Sequence, residues 1–307
     1  MKKKWVAFGL CLLFLLTTGC KGKQKDKASK EEASSEVVSA EEYSRIFREE
    51  SAVESGQEVS AEASQNALVS EQQDQSVSSA EEPEPQKVVV QVTIPEGYTF
   101  MQIASLLEQK GICSKADFYR TSQNYQVQSF EVPSTSDRCF KMEGFLFPDT
   151  YQFYQNDDPE RVLRTMLNNY AAKTGCPPQQ TLILASIIEQ EARSEEHMKL
   201  VSSVYHNRIN AGMRLDADPT RDYVNEFITG NPLLSDTGRF AALYNTYKCQ
   251  IPAGPICNPG MRAISAAQNP ASTNYYYFFF GNDNQNHYSQ TYEEHQAQIA
   301  KYGVQHQ

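Results

Sequence analysis

Leu184-Ala-Ser-Ile-Ile-Glu-Gln-Glu191 is an apolar stretch that ends in two carboxyl groups. Four of its residues have the spacing i, i+3, i+4 and i+7 of one helix face: Leu184, Ile187, Ile188 and Glu191. This spacing predicts a helix that packs one side against a core. Glu191 continues the apolar face, whereas Glu189 flanks it.

Three clusters of polar, proline and glycine residues follow this helix. They are Asp218-Pro-Thr220, Tyr244-Asn-Thr-Tyr247 and Pro252-Ala-Gly-Pro-Ile-Cys-Asn-Pro-Gly260. A packed core needs none of them, and functional groups concentrate on loops that a rigid scaffold positions. We therefore expect a cleft built from loops, with the chemistry located there.

The rest of the folded part mixes short helices with few strands. Strands are predicted at 88–94 and 275–280, the second as one arm of a hairpin, and 143–151 as a strand or loop under the core. Helices are predicted to start at Thr99, Ser114 and Pro259 and to cover 159–172, 179–193, 195–211 and 293–302. This mixture predicts an α+β fold.

The two carboxyl groups of the first helix cannot share a site. Glu189 and Glu191 are two positions apart, so their side chains point about 200° apart on a helix. Burial of Glu191 would raise its pKa, as a general acid at neutral pH requires. The alternative, favoured by periodicity alone, is a structural ion pair with Arg193, Arg208 or Arg214. Glu189 would then be a hydrogen-bond partner of the site.

Other polar groups each have two interpretations. Tyr244, Asn245 and the two residues after them would position a sugar through hydroxyl, amide and ring contacts, or would form a turn with core aromatics. Glu143 is either a strand-end residue or a site carboxylate. His287 and His295 lack a plausible set of further ligands, so the sequence predicts no metal site.

The N-terminus has the pattern of a secretory signal. Met1-Lys-Lys-Lys4 is positively charged, an apolar run reaches Leu16, and Gly19-Cys20 follows. This ending resembles a bacterial lipobox, so we expect residues 1–20 to be a lipoprotein signal and Cys20 to be lipidated. The alternative is a short uncleaved anchor. Either way, the bulk of the protein would lie at the extracytoplasmic face of the cell membrane.

Residues 21–88 are rich in Ser, Glu, Gln and Ala and are predicted to form a disordered acidic tether. Between residues 31 and 86 there are 15 acidic and two basic residues, so the tether accounts for the net charge of −10. The folded part keeps only a small negative charge. A charge of this sign does not favour binding to nucleic acid.

An odd number of cysteines follows the tether, so they cannot all pair with one another. They are Cys113, Cys139, Cys176, Cys249 and Cys257. The last two are close enough in sequence to pair across the proline-rich loop, and an exported protein permits a disulfide there. Sequence alone leaves that Cys249–Cys257 pair open.

The ordered motifs resemble the endolytic murein transglycosylase family, also called YceG-like. The resemblance runs from about residue 89 to residue 298 and is strongest over Glu143-Gly-Phe-Leu-Phe-Pro-Asp-Thr-Tyr151, Ala185-Ser-Ile-Ile-Glu-Gln-Glu191, Val204-Tyr-His-Asn-Arg208, Gly212-Met-Arg-Leu215, Asp218-Pro-Thr220, Tyr244-Asn-Thr-Tyr247 and Gly254 to Gly260. It reverses the balance at Glu191 in favour of catalysis. The strand and two helices at 89–140 resemble a LysM-like module, and 141–303 would be a lytic transglycosylase catalytic domain.

Membership of that family implies a membrane-anchored enzyme that cuts nascent glycan strands internally, between N-acetylmuramic acid and N-acetylglucosamine, and leaves 1,6-anhydro ends. Glu191 matches the family's catalytic acid. It would protonate the glycosidic oxygen and then act as base on the C6 hydroxyl of muramic acid. Because that hydroxyl replaces water, the paired carboxylates of ordinary glycosidases are not required. No metal or organic cofactor is implied.

The resemblance also implies residues that line or support the cleft: Glu143, Glu189, Asn207, Asp218, Tyr244 and Asn245. The implied partners are peptidoglycan glycan strands, the membrane through lipidated Cys20, and peptidoglycan polymerases. The enzyme would terminate the glycan strands that these polymerases make. One alternative is a non-catalytic scaffold lipoprotein that binds peptidoglycan. Another is a solute-binding lipoprotein, which the few βαβ patterns support poorly.

Overall fold

A computed structural model of the protein describes residues 87–133 and 136–305. The predicted signal, Cys20 and nearly all of the predicted tether lie outside the described residues. Within these two ranges, no helix is both long enough and apolar enough to cross a membrane.

The described chain begins with a strand, two helices and a second strand. They are β1 (Val89–Thr93), α1 (Phe100–Gln109), α2 (Lys115–Asn124) and β2 (Thr150–Tyr154). β2 pairs antiparallel with β1, from Val89 opposite Tyr154 to Thr93 opposite Thr150. The first strand and both helix starts are confirmed. The sheet joins segments on both sides of residue 140.

Side chains fix the starts of both helices. Thr99 and Gln102 form a reciprocal capping box at α1, with bonds of 3.2 and 2.9 Å. Ser114 caps α2 by accepting from the backbone N–H of Asp117 over 3.1 Å. Gly111 lies between them with a φ of +68°, a left-handed conformation that glycine adopts without strain.

Three longer helices follow β2. They are α3 (Pro159–Thr174), α4 (Gln179–Glu191) and α5 (Glu195–Asn210). All three agree with the sequence pattern, although α4 ends at Glu191 rather than at Arg193. Asp158 caps the start of α3, and Gly175 follows its end with a φ of +66°.

The next segment is more helical than the sequence predicts. It contains α6 (Asp218–Tyr223), a π-helical turn (Val224–Ile228) and α7 (Thr237–Tyr244). The expectation of a cleft built from loops is therefore wrong for Asp218 and Tyr244, which lie on helices. α6 has six residues, too few for a helical period to show in the sequence.

One helix, a hairpin and a last helix complete the described chain. They are α8 (Met261–Gln268), β3 (Tyr277–Phe280), β4 (Asn286–Ser289) and α9 (Tyr292–Tyr302). β3 and β4 pair antiparallel, as predicted, and α9 packs on both. The predicted α+β class is confirmed.

One hydrophobic cluster extends from Val92 in β1 to Ala267 in α8. α4 packs within it against α5, α6 and α8, and its residues 181–189 are buried without interruption. A helix enclosed on all sides carries apolar residues all round. The two glutamates of α4 therefore lie where this buried helix ends.

Candidate active site

Glu191 is the last residue of α4, and its side chain is half-buried. The hydroxyl of Tyr205 on α5 donates to Glu191 Oε1 over 2.7 Å. Tyr205 is itself buried, and its ring meets Phe278 of β3 edge to face with 5.9 Å between centroids. The candidate acid is thus held by a phenol that the core fixes in place.

The structure does not contain the structural ion pair that the sequence left open. Glu191 takes part in none of the ion pairs among the described side chains. Arg208 instead donates to two backbone carbonyl oxygens at 2.6 and 2.7 Å. Arg214 pairs with Asp216 at 3.0 Å, and Arg193 is exposed.

The surroundings of Glu191 keep its carboxyl protonated to a higher pH than usual. Burial raises the pKa of Glu191 to about 7, against the opposing hydrogen bond from Tyr205. The negative charges of Asp218 and Asp222 on α6 act in the same direction as burial, whereas Arg208 acts against it. A carboxyl protonated near neutral pH can donate its proton to a leaving oxygen.

Two threonines hold the start of α6 against the turn after α7. Thr246 Oγ1 accepts from the N–H of Ala217 over 2.8 Å and lies 2.8 Å from the hydroxyl of Thr220. The next residue, Tyr247, donates its hydroxyl to Asp218 over 2.6 Å. The structure therefore brings together two of the motifs that the sequence separates, and Asp218 stays exposed between them.

Tyr244 and Asn245 occupy different environments around that turn. Tyr244 is fully buried, with its ring 5.7 Å from that of Tyr223. In this conformation it has no surface for a ligand, so it acts through packing. Asn245 is half-buried, and its Oδ1 accepts from the N–H of Tyr247 over 3.0 Å. Asn245 thus fixes the turn that presents Tyr247.

Asn207 connects α5 to the chain that enters β3. Its amide nitrogen donates to the carbonyl oxygens of Thr273 and Tyr275, both at 2.9 Å. Arg208 continues this attachment by donating to the carbonyl oxygen of Tyr276 at 2.6 Å. These bonds attach the start of β3 to α5. They therefore hold Phe278 of β3 against Tyr205 of α5.

Glu189 makes different contacts from Glu191. It is 4% exposed, and its Oε2 accepts from the N–H of Gly260 over 2.9 Å, just before α8. A carboxylate at a helix N-terminus is stabilised by the helix dipole. Burial therefore does not distinguish Glu189 from Glu191, because both lie where the enclosed part of α4 ends. They differ in their contacts.

Glu143 lies in the core, with its side chain fully buried. Its carboxyl accepts from Phe100 N–H at 2.8 Å, from the amide of Asn258 at 2.9 Å and from the hydroxyl of Tyr223 at 2.9 Å. Burial raises the pKa of Glu143 to about 8, against the hydrogen bond from Tyr223. Glu143 therefore connects the start of α1, the loop before α8 and α6.

The cysteines after the tether are free thiols. Cys249 Sγ donates to the carbonyl oxygens of Leu243 and Asn245 at 3.4 and 3.3 Å. Cys257 Sγ donates to the carbonyl oxygen of Ser186 at 3.2 Å. The disulfide between Cys249 and Cys257 is therefore not formed, because each thiol is satisfied by a different part of the chain.

The sequence also matches a known protein family. Residues 22–301 match the YceG-like family. The chain belongs to the YceG-like family. The endolytic murein transglycosylase of Bacillus subtilis strain 168 is 31% identical over 235 residues, which cover 69% of this chain and 65% of that protein.

Two further comparisons describe the YceG-like chain. The endolytic murein transglycosylase of Streptococcus pneumoniae strain D39 is 24% identical over 253 residues, which cover 71% of this chain and 46% of that protein. The match thus spans less than two thirds of either relative. A crystal structure of a YceG-like protein from Listeria monocytogenes has a TM-score of 0.55 and 29% identity, covering 68% of this chain and 75% of that one.

The site of this YceG-like protein includes side chains whose roles sequence reasoning missed. Tyr205 reaches Glu191 from a different helix, and no spacing rule relates the two. Asp222 follows Asp218 by one turn of α6, so it lies on the same face. That i, i+4 pair was a usable signal, but only once α6 had been identified as a helix.

Across 87–133 and 136–305, no group of three His, Cys, Asp or Glu side chains is arranged to hold a metal ion. His287 pairs with Asp283 at 3.0 Å. His295 stacks on the ring of Tyr277 with 5.3 Å between centroids. Both histidines thus have structural partners near the C-terminal hairpin of the YceG-like chain.

Proposed function

We propose that this protein is an endolytic lytic transglycosylase of peptidoglycan, a lyase that cuts inside nascent glycan strands and leaves 1,6-anhydro-N-acetylmuramic ends. The observation that carries the proposal is the carboxyl of Glu191. It accepts a hydrogen bond from Tyr205, has no ion-pair partner among the described residues, and has a pKa raised to about 7 by burial. Relatives in two organisms are named endolytic murein transglycosylases.

In the first step Glu191 acts as general acid. Its proton passes to the glycosidic oxygen between N-acetylmuramic acid and N-acetylglucosamine, and the bond from that oxygen to the anomeric carbon breaks. The elevated pKa supports this role, because the acid must still hold its proton near neutral pH. Proton transfer of this kind contributes about 10²- to 10⁴-fold in rate.

In the second step the same carboxyl acts as base. The ionised Glu191 takes the proton of the C6 hydroxyl of muramic acid, whose oxygen bonds to the anomeric carbon and closes the 1,6-anhydro ring. The carboxyl ends the cycle protonated, as it began, and no water is consumed. The hydrogen bond from Tyr205 stabilises the ionised form between the two steps.

The remaining site residues divide by their access to solvent. Asp218 is exposed beside the acid and Asn245 is half-buried in the adjoining turn, so we assign these two to direct contact with the strand. The others act by holding the acid's surroundings in place. They are Glu143, Glu189, Asn207 and Tyr244.

We also propose an anchored location at the extracytoplasmic face of the cell membrane. Its support is the lipobox-like Gly19-Cys20 and the acidic segment 21–88, which would connect the lipid to the folded part. A LysM-like module at 89–140 is supported by β1, α1 and α2 in that order. Peptidoglycan polymerases are the expected partners, because their products would be the substrate.

The test is mass spectrometry of products formed from uncrosslinked glycan strands by the full-length chain in detergent. The parent is compared with Glu191→Gln, which keeps the side-chain shape but cannot donate the proton. Glu196→Gln, an exposed position at the start of α5, is the matched control. We expect anhydro ends from the parent and the control, and a loss of at least about 100-fold in the Glu191 variant.

The products also separate the competing activities. Reducing ends in place of anhydro ends would identify a hydrolase that uses water. Strand binding without cleavage, by the parent as well as by Glu191→Gln, would identify a non-catalytic scaffold. Circular dichroism of each variant establishes that any loss of cleavage occurs in folded protein.

A further inference from the structure

A surface groove runs along α1 and reaches the end of α4. It consists of two adjoining cavities of about 370 Å³ each, which share Tyr98, Gln102 and Phe227. The outer cavity continues along α1 to Gln109, and the inner one reaches Gln190 on α4. We call these two cavities together the α1 groove.

The inner end of the groove lies beside the candidate acid. Gln190 and Arg193, which line it, flank Glu191 in the chain. Asp222 lines the same end and is one of the charges that raise the pKa of Glu191. The outer end extends along α1, whose ten residues span about 15 Å. The groove therefore extends away from the acid along the length of α1, which exceeds the length of one small ligand.

Rigid attachments hold the walls of the groove. Gln190 Nε2 donates to the carbonyl oxygen of Gly97 over 2.8 Å, which fastens the chain before α1 to the end of α4. The carbonyl oxygen of Tyr98 accepts from Asn258, both from its backbone at 2.9 Å and from its side chain at 2.8 Å. Phe227 packs 5.6 Å from the ring of Tyr223.

The π-helical turn after α6 supplies the wall opposite α1. Its residues Glu226 and Phe227 both line the inner cavity, and Phe227 also lines the outer one. Single π-helical turns are rare and occur often at functional sites. A regular α-helical continuation would present these side chains in a different direction, so the extra residue per turn sets the shape of the groove.

The lining of the outer cavity indicates the chemistry of its occupant. It contains no charged side chain: the residues are Tyr98, Met101, Gln102, Ser105, Leu106, Gln109 and Phe227. Half-buried rings offer flat faces to the C–H side of a sugar, and amide and hydroxyl groups match its hydroxyl and acetamido groups. An ionised peptide would need opposite charges, which this cavity lacks.

We propose that the α1 groove binds consecutive saccharide units of the glycan strand on one side of the cleaved bond. This inference rests on the proposed function of Glu191 and adds a site that selects long strands over short ones. The inner end would hold the sugar next to the acid. The uncharged outer end would hold units further along, so a strand would be cut internally rather than at its end.

The experiment fills the outer cavity and compares substrates of two lengths. Ser105→Trp and Gln109→Trp place a large ring in the groove of the full-length chain. Arg164→Trp adds the same ring to the exposed face of α3, away from the groove. Initial rates are measured on long uncrosslinked strands and on the shortest saccharide that the parent cleaves, and thermal unfolding establishes that each variant is folded. Gln109 is exposed, so its variant is expected to fold even if Ser105→Trp does not.

We expect both groove variants to lower kcat/KM on long strands at least tenfold, and to leave it within twofold on the shortest substrate. The α3 variant should match the parent on both. Long-strand cleavage within twofold of the parent in a folded groove variant would overturn the proposal. So would an equal loss on both substrates, since that would place the effect at the acid.

Binding separates the failure of this proposal from failure of the proposed function. Affinity for long strands is measured by calorimetry for the parent and each variant, with free stem peptide as a second ligand. If the parent binds but cleaves neither substrate, the proposed activity fails, and a tenfold weaker affinity of the groove variants still supports the groove. Weaker binding of the stem peptide alone would assign the groove to peptide and overturn the saccharide assignment.

Discussion

Replacing Tyr205 by phenylalanine is predicted to move the alkaline limb of the activity profile to higher pH. The change removes one hydroxyl and keeps the ring that packs on Phe278. That hydroxyl donates to Glu191 Oε1 over 2.7 Å and opposes the rise in the pKa of the acid. Without it, the ionised carboxyl loses its stabilising donor, and the pKa of Glu191 rises.

The size of the effect follows from this bond. A hydrogen bond to a charged group is worth about 1.5–3 kcal/mol, and one pKa unit corresponds to about 1.4 kcal/mol. Part of the bond persists when the acid is protonated, so we expect a shift of about one unit above the parent value of about 7. A general acid works only while protonated, so activity of the variant would persist to a correspondingly higher pH.

The assay measures the rate of anhydro-end formation from about pH 5 to about pH 9. Asp218→Asn is the matched control with the opposite sign, since it removes a negative charge that raises the pKa of Glu191. Asp222 and Arg208 also face the acid and stay unchanged in both variants. We expect the alkaline limb to move up for Tyr205→Phe and down for Asp218→Asn.

An alkaline limb of Tyr205→Phe that coincides with the parent's would refute this reasoning. A uniform fall in rate at every pH would mean that Tyr205 only positions the carboxyl. If both variants move the limb in the same direction, Glu191 is not the group whose titration the profile reports.

Four further predictions concern stability and the thiols. The folded-state pKa of Glu191, about 7, lies above its ordinary value of 4.5, so this group's contribution to stability is lost as the pH rises between these values. Glu191→Gln should therefore be more stable than the parent at pH 8, by on the order of 3 kcal/mol, with no advantage at pH 4, as measured by urea unfolding. Glu143→Ala leaves three buried donors without an acceptor and should lower the free energy of unfolding by at least about 3 kcal/mol in the same assay. Thr246→Val leaves the N–H of Ala217 unpaired at the start of α6 and should lower the free energy of unfolding by about 1–3 kcal/mol. Alkylation in denaturant without reductant, followed by peptide mass spectrometry, should find Cys249 and Cys257 modified separately, and a linked peptide would contradict the structure.

The sequence predicts those elements whose own residues carry a complete pattern. α4 and α5 are long enough for apolar residues to repeat over several turns, and Thr99 and Ser114 identify two helix starts through local capping. α6 and the π-helical turn carry no such pattern because each is shorter than two turns. Their conformation depends on contacts such as that between Thr246 and Ala217, which are distant in sequence.

The site was predictable only as far as its chemistry is local. Glu191 could be proposed from its helix and from the family resemblance, but the partner that adjusts its pKa could not, because Tyr205 acts across an interface between helices. Tyr244 and Glu143 illustrate the converse. Polar residues in motifs suggest contact with a ligand, yet burial places both in the core, where hydrogen bonding or packing decides their role.

Glu189 and Glu191 have different roles because one carboxyl lies at the N-terminus of α8 and the other at the C-terminus of α4. Burial raises the pKa of both. The carboxyl of Glu189 lies at the N-terminus of α8, where the N–H of Gly260 and the positive end of the helix dipole favour its charge. Glu191 ends α4, where the negative end of the helix dipole disfavours a charge, and the Tyr205 hydroxyl and the charge of Arg208 oppose that effect. Such contrasting environments separate a carboxyl that holds structure from one that can exchange a proton.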